Sequence, residues 1–569
     1  MQQPRWEVAG QNEELIRELQ QAGGITRPLA VILASRGVRA DGLSAFLQPS
    51  LCNLVDPYCL PGATEAAIRL WGAVAKGECI LIHGDYDTDG ITAAVLLAWC
   101  LRQNGAKAEC FLPHRIDDGY GLTPESIEKA CREKHSLLVT VDCGINSYDA
   151  IRQARAQGLD VIITDHHEPG AETPEANVVV NPKLPGAPVE LYDLAGVGVA
   201  FKVCHAFLKY GREHEIGGMT TDLRQALDLV ALGTVADIVP LHHENRCLVS
   251  HGLQVLSAQQ RAGVRALSEV CGLGDAKTLR ALDITFKLAP RLNAAGRMGD
   301  PMDAMRLLEA RGMNDAMPLA QSLDEKNRDR QQMEEATLQE AEAQIVSRAD
   351  LTRQRTITVW NERWPQGVIG IVASRLVRRY HRPAVVLTLD SGGQWRGSAR
   401  SIPHVNLVGA LEKCQARLLR FGGHPMAAGL LLAQDQLAGF EQEFEAAVQK
   451  VLSLEGLRPV LEMCARIPFA EISDTFLDEL QLLEPIGHGN PEPVFMARGV
   501  RPERIAVAGR RHSRGVLSDD SRTRLDFIYF GKMPDELPQP PWEIAYAPQW
   551  NRFNGSSVPQ VQIHDVRSI

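Results

Sequence analysis

Cys79-Ile80-Leu81-Ile82-His83-Gly84-Asp85-Tyr86-Asp87-Thr88-Asp89-Gly90 carries an apolar segment straight into three carboxylates. A short apolar run bounded by glycine, followed by an amphipathic pattern over residues 91–103, predicts strand, loop and helix. The acids then stand at the carboxyl end of a buried strand, the edge where open α/β sheets bind ligands. Two later apolar runs end in the same way. Leu137-Leu138-Val139-Thr140-Val141 meets Asp142, and Val161-Ile162-Ile163-Thr164 meets Asp165-His166-His167. Packing gives three strands no reason to deliver carboxylate or imidazole to one edge, whereas a metal centre does.

Working outward, strand patterns at 79–83, 108–112, 137–141, 161–164 and 178–180 alternate with helical ones, as in a parallel, doubly wound sheet. Residues 196–300 are mostly helical in pattern. A helix over 222–234 runs into Val235-Ala236-Asp237, where a lone Asp reads most simply as a cap or turn. Residues 302–349 are helical with a break at Gly312, and the run Asp324-Glu325-Lys326-Asn327-Arg328-Asp329-Arg330 is charged on every face. Such a run predicts a helix crossing solvent between two domains. A second α/β unit follows over 356–454, with two glycine-rich stretches at 392–400 and 421–429 where backbone can approach an anion. After Gly456 short alternating segments and an Asn554-Gly555 turn predict a small β-barrel or sandwich. Eight arginines against three acids within 498–524, then Phe527, Tyr529, Phe530, Trp542, Tyr546, Trp550 and Phe553, supply the basic and aromatic side chains of a single-strand-binding barrel. Most of those aromatics belong to its core.

The expected organisation is α/β and multidomain: an N-terminal segment (1–70), a parallel-sheet domain with a helical part (71–300), a connecting helix (301–350), a second α/β domain (351–455) and a C-terminal β-barrel (456–569). A net charge of −10 excludes coating of nucleic acid by bulk basicity, so any such site is local. The N-terminal residues lack a basic-then-apolar export pattern, and no apolar run has the length of a membrane span. Twelve cysteines without a Cys-x-x-Cys pair read as reduced thiols of a cytoplasmic protein. The absence of sustained heptads makes a monomer the default expectation.

The candidate ligands His83, Asp87, Asp89, Asp142, His166 and Asp237 offer oxygen and imidazole without sulfur, a set suited to Mn2+ or Mg2+ rather than a closed structural zinc site. Two ions roughly 3.5–4 Å apart activate water and clamp both the attacking and the leaving oxygen of a phosphoryl displacement. Each residue also has a plainer reading: Asp85, Asp87 and Asp89 as turn and cap residues, and His166 and His167 as a surface pair. Their joint occurrence at three strand ends decides for the metal. His83 still belongs to its strand, and Asp85 is placed behind the ligands.

Asp165-His166-His167 with the earlier Asp-x-Asp loop resembles the DHH phosphoesterase superfamily, and Gly422-Gly423-His424-Pro425 with Gly397-Ser398-Ala399-Arg400 resembles its DHH-associated domain. Three further stretches, Pro113-His114-Arg115 with Gly119-Tyr120-Gly121-Leu122, Gly233-Thr234-Val235-Ala236-Asp237, and Arg291-Leu292-Asn293-Ala294-Ala295-Gly296-Arg297, are similar to the superfamily's single-strand-specific 5′-to-3′ DNA exonucleases. The resemblance spans about residues 30–569 and makes the barrel an OB-fold. It implies that Asp87, Asp89, Asp142, His166 and Asp237, with His83, hold two Mn2+ or Mg2+ ions, and that Asp89, Asp142 and His167 serve catalysis, His167 at the scissile phosphate. Arg115, Tyr120, Asn293 and Arg297 are expected along the path of the strand, and Arg396, Ser398, Arg400 and His424 at a phosphate. The implied role lies in DNA repair and recombination, with single-stranded DNA as substrate and a single-strand-binding protein and a helicase as partners. A phosphodiesterase acting on short oligonucleotides or cyclic dinucleotides is the alternative, and a catalytically inactive scaffold holding single strands is a third reading. On the exonuclease reading, a form ending near Leu454 is expected to lose long strands while keeping short ones.

Overall fold

Strand Cys79–Gly84 forms where the apolar run predicts it, and its side chains alternate between two cores. Ile80 and Ile82 pack with the helices Ala63–Lys76, Thr88–Gln103 and Gly196–Glu213. Leu81 packs on the other face with the helices Pro124–Arg132 and Tyr148–Ala156. The computed structural model, which describes residues 3–113, 121–216, 220–509, 511–553 and 556–569, sets this strand second in a five-stranded parallel sheet. In space the order is Lys107–Phe111, Cys79–Gly84, Leu137–Val141, Asp160–Thr164, Val178–Val180. Strand order therefore reverses between Cys79–Gly84 and Leu137–Val141. At such a switch point the crossover helices leave on opposite faces and a crevice opens beyond the strand ends. The Asp85–Asp89 loop and Asp142 both issue into that crevice.

The second domain is a mixed five-stranded sheet in the order Arg420–His424, Ala427–Leu432, Trp395–Arg400, Ala384–Leu389, Ile357–Trp360. One face packs on the helices Leu407–Glu412 and Leu437–Gln449. The other is covered by the helix Ile369–Tyr380 over its Ala384–Leu389 half, and the first turn of that helix also reaches the strand Trp395–Arg400. The C-terminal strands Phe495–Ala508, His512–Ser518, Arg524–Phe530, Trp542–Phe553 and Ser556–Ser568 run in the order 1-2-3-5-4-1, since Phe495–Ala508 also pairs with Trp542–Phe553, and the sheet closes into a barrel. Phe527, Tyr529, Trp542 and Tyr546 fill it, while Phe530 stands 53% exposed beside His512 on the outside. Of the arginines in this region, Arg498, Arg511 and Arg524 pair with Glu543, Glu536 and Glu503, and Arg510 lies outside the described residues.

Two relationships were not readable from pattern. The N-terminal helices Glu13–Gly23 and Arg27–Ser35 contribute Ile16, Leu19 and Leu29 through Leu33 to the same core as the barrel's Phe469, Phe476, Phe495 and Phe527. Strand Arg5–Val8 pairs with Val460–Met463 ahead of the barrel. The connecting helix Met313–Arg348 starts just after Gly312 as expected, but its charged middle crosses solvent on one face only. Asp324 and Asn327 are only 5% and 1% exposed. Asp324 accepts from Arg291 Nε at 3.0 Å, and Glu334 meets Arg330 and Arg375 at 2.9 and 3.1 Å. One face of this stretch is thus paired, through Arg291 and Arg375 of neighbouring helices and Arg330 of the same helix, while Glu325, Arg328 and Asp329 on the other face are exposed. Among the described residues no helix is long and apolar enough to cross a membrane.

Candidate metal centre and substrate cleft

Asp87 is the N-cap of the helix Thr88–Gln103, and its Oδ1 accepts from the N–H groups of Asp89 (3.0 Å) and Gly90 (3.2 Å). The cap fixes this carboxylate at the strand edge, in a group with Asp85 and Asp142 whose ligand atoms lie within 4.8 Å of one another. Asp89, buried in the helix's first turn, accepts from the N–H groups of Gly196 (2.6 Å) and Val197 (2.9 Å), which open the helix Gly196–Glu213. The positive end of that helix thus faces Asp89. Crowding requires glycine here, since a Cβ on Gly196 would stand 2.5 Å from Asp142 Cβ and one on Gly233 2.7 Å from Asp89 Oδ1.

Asp142 leaves its strand at φ 60°. Asp237 ends the helix Leu227–Ala236, and Ile238 after it has φ 62°, a left-handed conformation that a β-branched residue adopts only against strain. Asp89 and Asp237 meet His166 in a second group within 4.8 Å. His166 Nε2 lies 3.1 Å from Asp142 Oδ1, 3.6 Å from Asp237 Oδ2 and 3.9 Å from Asp89 Oδ2. Both His166 Nε2 and Asp142 Oδ1 are buried without a hydrogen-bond partner. Burial, and next the charge of Asp87, pushes Asp89 up to about 7. Burial and then the neighbouring carboxylates push Asp142 and Asp237 well above the usual carboxylate range. Burial, then His167, pushes His166 down to about 3. Buried carboxylates that repel one another, around a neutral imidazole aimed among them, are a donor set fitted to divalent cations.

His83 is buried in its strand, with Nε2 3.3 Å from the Gly121 carbonyl and its ring near Phe111, and the structure does not bring it into these groups. Asp85, placed behind the ligands from sequence, has its Oδ1 on the Tyr86 N–H and joins the group of Asp87 and Asp142.

His167 stands beside the centre with its Nδ1 2.7 Å from Asp165 Oδ1. Burial pushes Asp165 up, but the hydrogen bond from His167, the histidine charges and the Ile145 N–H outweigh it and hold the carboxyl below its ordinary value. Burial in turn pushes His167 down, and the bond to Asp165 more than restores it. The pair fixes the imidazole with its Nε2 turned away from Asp165. Sequence reasoning gave Asp165 no task; its place directly before the histidines was the available signal.

Across the cleft the His424 ring faces His167, centroids 6.0 Å apart and 19° from parallel. Register explains which side chains share that wall. Arg400, Ala427 and His424 lie opposite one another, as do Ser398, Gly429 and Gly422, and Arg396, Leu431 and Arg420. A two-residue period therefore sets Arg396, Ser398, Arg400 and His424 on one face, with glycines leaving the middle row low. Arg400 Nη1 donates to Ser398 Oγ at 3.0 Å. A Cβ on Gly370, in the first turn of the helix Ile369–Tyr380, would stand 3.0 Å from Ser398 Oγ and 3.1 Å from Arg400 Nη2. A helix N-terminus beside Ser and Arg is suited to an anion, a contribution that only the folded chain reveals.

Asn293 and Arg297 connect these parts. Asn293 Oδ1 accepts from Thr88 N (2.8 Å) and Oγ1 (2.9 Å), steadying the acidic loop, and Arg297 Nη1 donates to Gly367 O at 3.1 Å, joining the two domains just before the helix Ile369–Tyr380. Arg115 and Tyr120 lie outside the described residues.

Carboxylates and imidazole gathered at a sheet's switch point, opposite an anion-binding wall on a second domain, define a metal-dependent phosphoesterase. Family models agree in each part: the DHH family N-terminal domain matches residues 79–234, the DHHA1 domain 353–453 and the RecJ OB domain 465–565. The single-stranded-DNA-specific exonuclease RecJ of Dickeya dadantii is 37% identical over 552 residues, covering 94% of each chain. The crystal structure of RecJ in complex with Mn2+ from Thermus thermophilus superposes with a TM-score of 0.85 at 32% identity, over 99% of this chain and 80% of that one. Its Mg2+ complex gives 0.78 at 30% identity, over 99% and 78%. The chain belongs to the RecJ family.

Proposed function

We propose that this protein is a single-stranded-DNA-specific exonuclease that removes 5′-mononucleotides in the 5′-to-3′ direction. The observation that carries the reading is the two-walled cleft, with the carboxylate centre and His167 on one side and His424, Ser398 and Arg400 on the other. Asp87, Asp89, Asp142, His166 and Asp237, with Asp85 close by, would hold two Mn2+ or Mg2+ ions, the metals of the Thermus RecJ complexes. Bound there, the ions supply Lewis-acid charge and an activated water for in-line displacement at phosphorus. His167, steadied by Asp165, donates from Nε2 to the phosphate and stabilises the charge that builds there. Ser398, Arg400, Arg396 and His424 hold a phosphate at a set distance from the centre, Arg400 being suited to bidentate contact. Fixing a terminal 5′ phosphate in this way sets the polarity. Asn293 and Arg297 line the strand's path, and the barrel holds the longer strand.

The same reading makes the protein a cytoplasmic monomer in DNA repair and recombination, acting with a single-strand-binding protein and a helicase. A product time course on long single-stranded DNA labelled at either end, with Mn2+, with Mg2+ and with chelator, tests it. Immediate metal-dependent release of the 5′ label as mononucleotide is expected. Cleavage of two- to five-nucleotide fragments alone would favour a short-oligonucleotide phosphodiesterase instead.

A further inference from the structure

Beside the His166-His167 loop stands a cation to which none of these roles is assigned. Lys183 follows the strand Val178–Val180 in a turn bound to that loop: Asn181 Oδ1 accepts the Lys183 N–H at 2.8 Å, and Asn181 Nδ2 donates to the His167 carbonyl at 3.0 Å. The Lys183 side chain is 18% exposed, its Nζ 3.1 Å from Glu168 Oε1 and 5.7 Å from the centre of the Tyr192 ring. The Tyr192 hydroxyl donates to the same carboxylate oxygen at 3.4 Å. Through Asn181 the lysine's turn is tied to the residue whose ring faces His424 across the cleft.

The partner of Lys183 is poorly suited to keep it. Glu168 is 58% exposed, and ion pairs with a solvated member contribute little. A phosphate oxygen entering between the walls offers the ammonium a charge-assisted bond at least as good, in a more enclosed place. An anionic strand also approaches a wall already crowded with carboxylates, where a cation on the same wall offsets the repulsion. We propose that Lys183 is a phosphate-binding residue of the cleft, held by Glu168 until a strand enters and then passed to a backbone phosphate beside the His166-His167 loop. The proposal rests on the reading of the chain as a single-strand nuclease.

A structural role for the ion pair predicts that losing either partner does the same harm. Phosphate binding predicts opposite signs, because Glu168 competes with the strand. The test uses the full chain, with binding of a short 5′-phosphorylated single strand followed by fluorescence anisotropy in chelator over a salt series, and kcat and KM measured in Mn2+. Lys183→Met is expected to weaken binding about tenfold and to make the dependence of log K on log salt shallower by about 0.7, the share of one single-strand phosphate. Glu168→Gln is expected to tighten binding and lower KM, and Lys183→Arg to restore most of what Lys183→Met loses. Weakening by both Lys183→Met and Glu168→Gln, or an unchanged salt slope in Lys183→Met, overturns the proposal. A parent protein that neither binds nor cleaves single strands rejects the nuclease reading itself, and this is seen before any variant is made.

Discussion

Asp142 combines three costs: burial, like-charged neighbours and a backbone in the left-handed region. Asp142→Asn removes one charge from the cluster, so hydrolysis should fall by at least about a hundredfold while binding of single strands persists. The melting temperature of the chelated variant should rise above that of the chelated parent. A variant as active as the parent would sink the metal assignment. The parent's stability should also depend on pH in a definite sense when metal is removed. Asp89 is raised to about 7 in the folded chain, so between its ordinary value and 7 the folded state binds more protons than the unfolded state. Stability of the metal-free protein therefore falls as pH rises through this window; the raised Asp142 and Asp237 act in the same direction and together outweigh the single proton of the lowered His166, which acts in the opposite one. Melting curves in chelator and in Mn2+ at several pH values check this, with the decline expected only in chelator. Asp165→Asn should lower kcat about a hundredfold or more through misorientation of His167, with a smaller change in KM. At this scale most of the centre was legible, because ligand-type residues ended three strands at once. Asp237 looked like a cap and is one, and only the packing of its helix against the helices Gly196–Glu213 and Thr88–Gln103, far apart in sequence, brings it into company.

The elements that position the site follow local pattern closely, while their arrangement does not. Strands Cys79–Gly84, Leu137–Val141 and Asp160–Thr164 were legible as apolar runs, but the reversal of their spatial order was not, since order is set by which helices cover which face. The helix Met313–Arg348 shows the limit most clearly: a pattern charged all round fits solvent and fits complementary neighbours equally well. Asp324→Ala tests the pairing. It leaves Arg291, on the helix that also carries Asn293 and Arg297, without its carboxylate in a mostly buried place. A destabilisation of about 3 kcal/mol is expected in urea unfolding, together with a raised KM. A surface helix would shrug off the same change to within about 0.5 kcal/mol.

In the whole molecule residues 3–47 and the barrel are one packed body, joined by a core whose members lie more than 400 residues apart. The expectation that a form ending near Leu454 keeps activity on short strands changes accordingly. Such a form exposes Ile16, Leu19 and Leu29 through Leu33, and is expected to aggregate, as sedimentation would show. The turn after Asp237 is anchored on the same body. Leu241 N–H donates to His488 O at 2.8 Å, His242 Nε2 lies 2.8 Å from Gly489 O, and Arg246 donates to the Leu482 and Leu483 carbonyls at 2.9 and 3.0 Å. This last contact bears on how the protein is made. A ribosome adding roughly 5–20 residues per second delivers Asp85 through Asp237 well before residues 482–491 leave the tunnel. For that interval of tens of seconds the segment after Asp237 lacks the hydrogen bonds that Leu241, His242 and Arg246 make to residues 482–489, and takes its final anchor only when the barrel arrives.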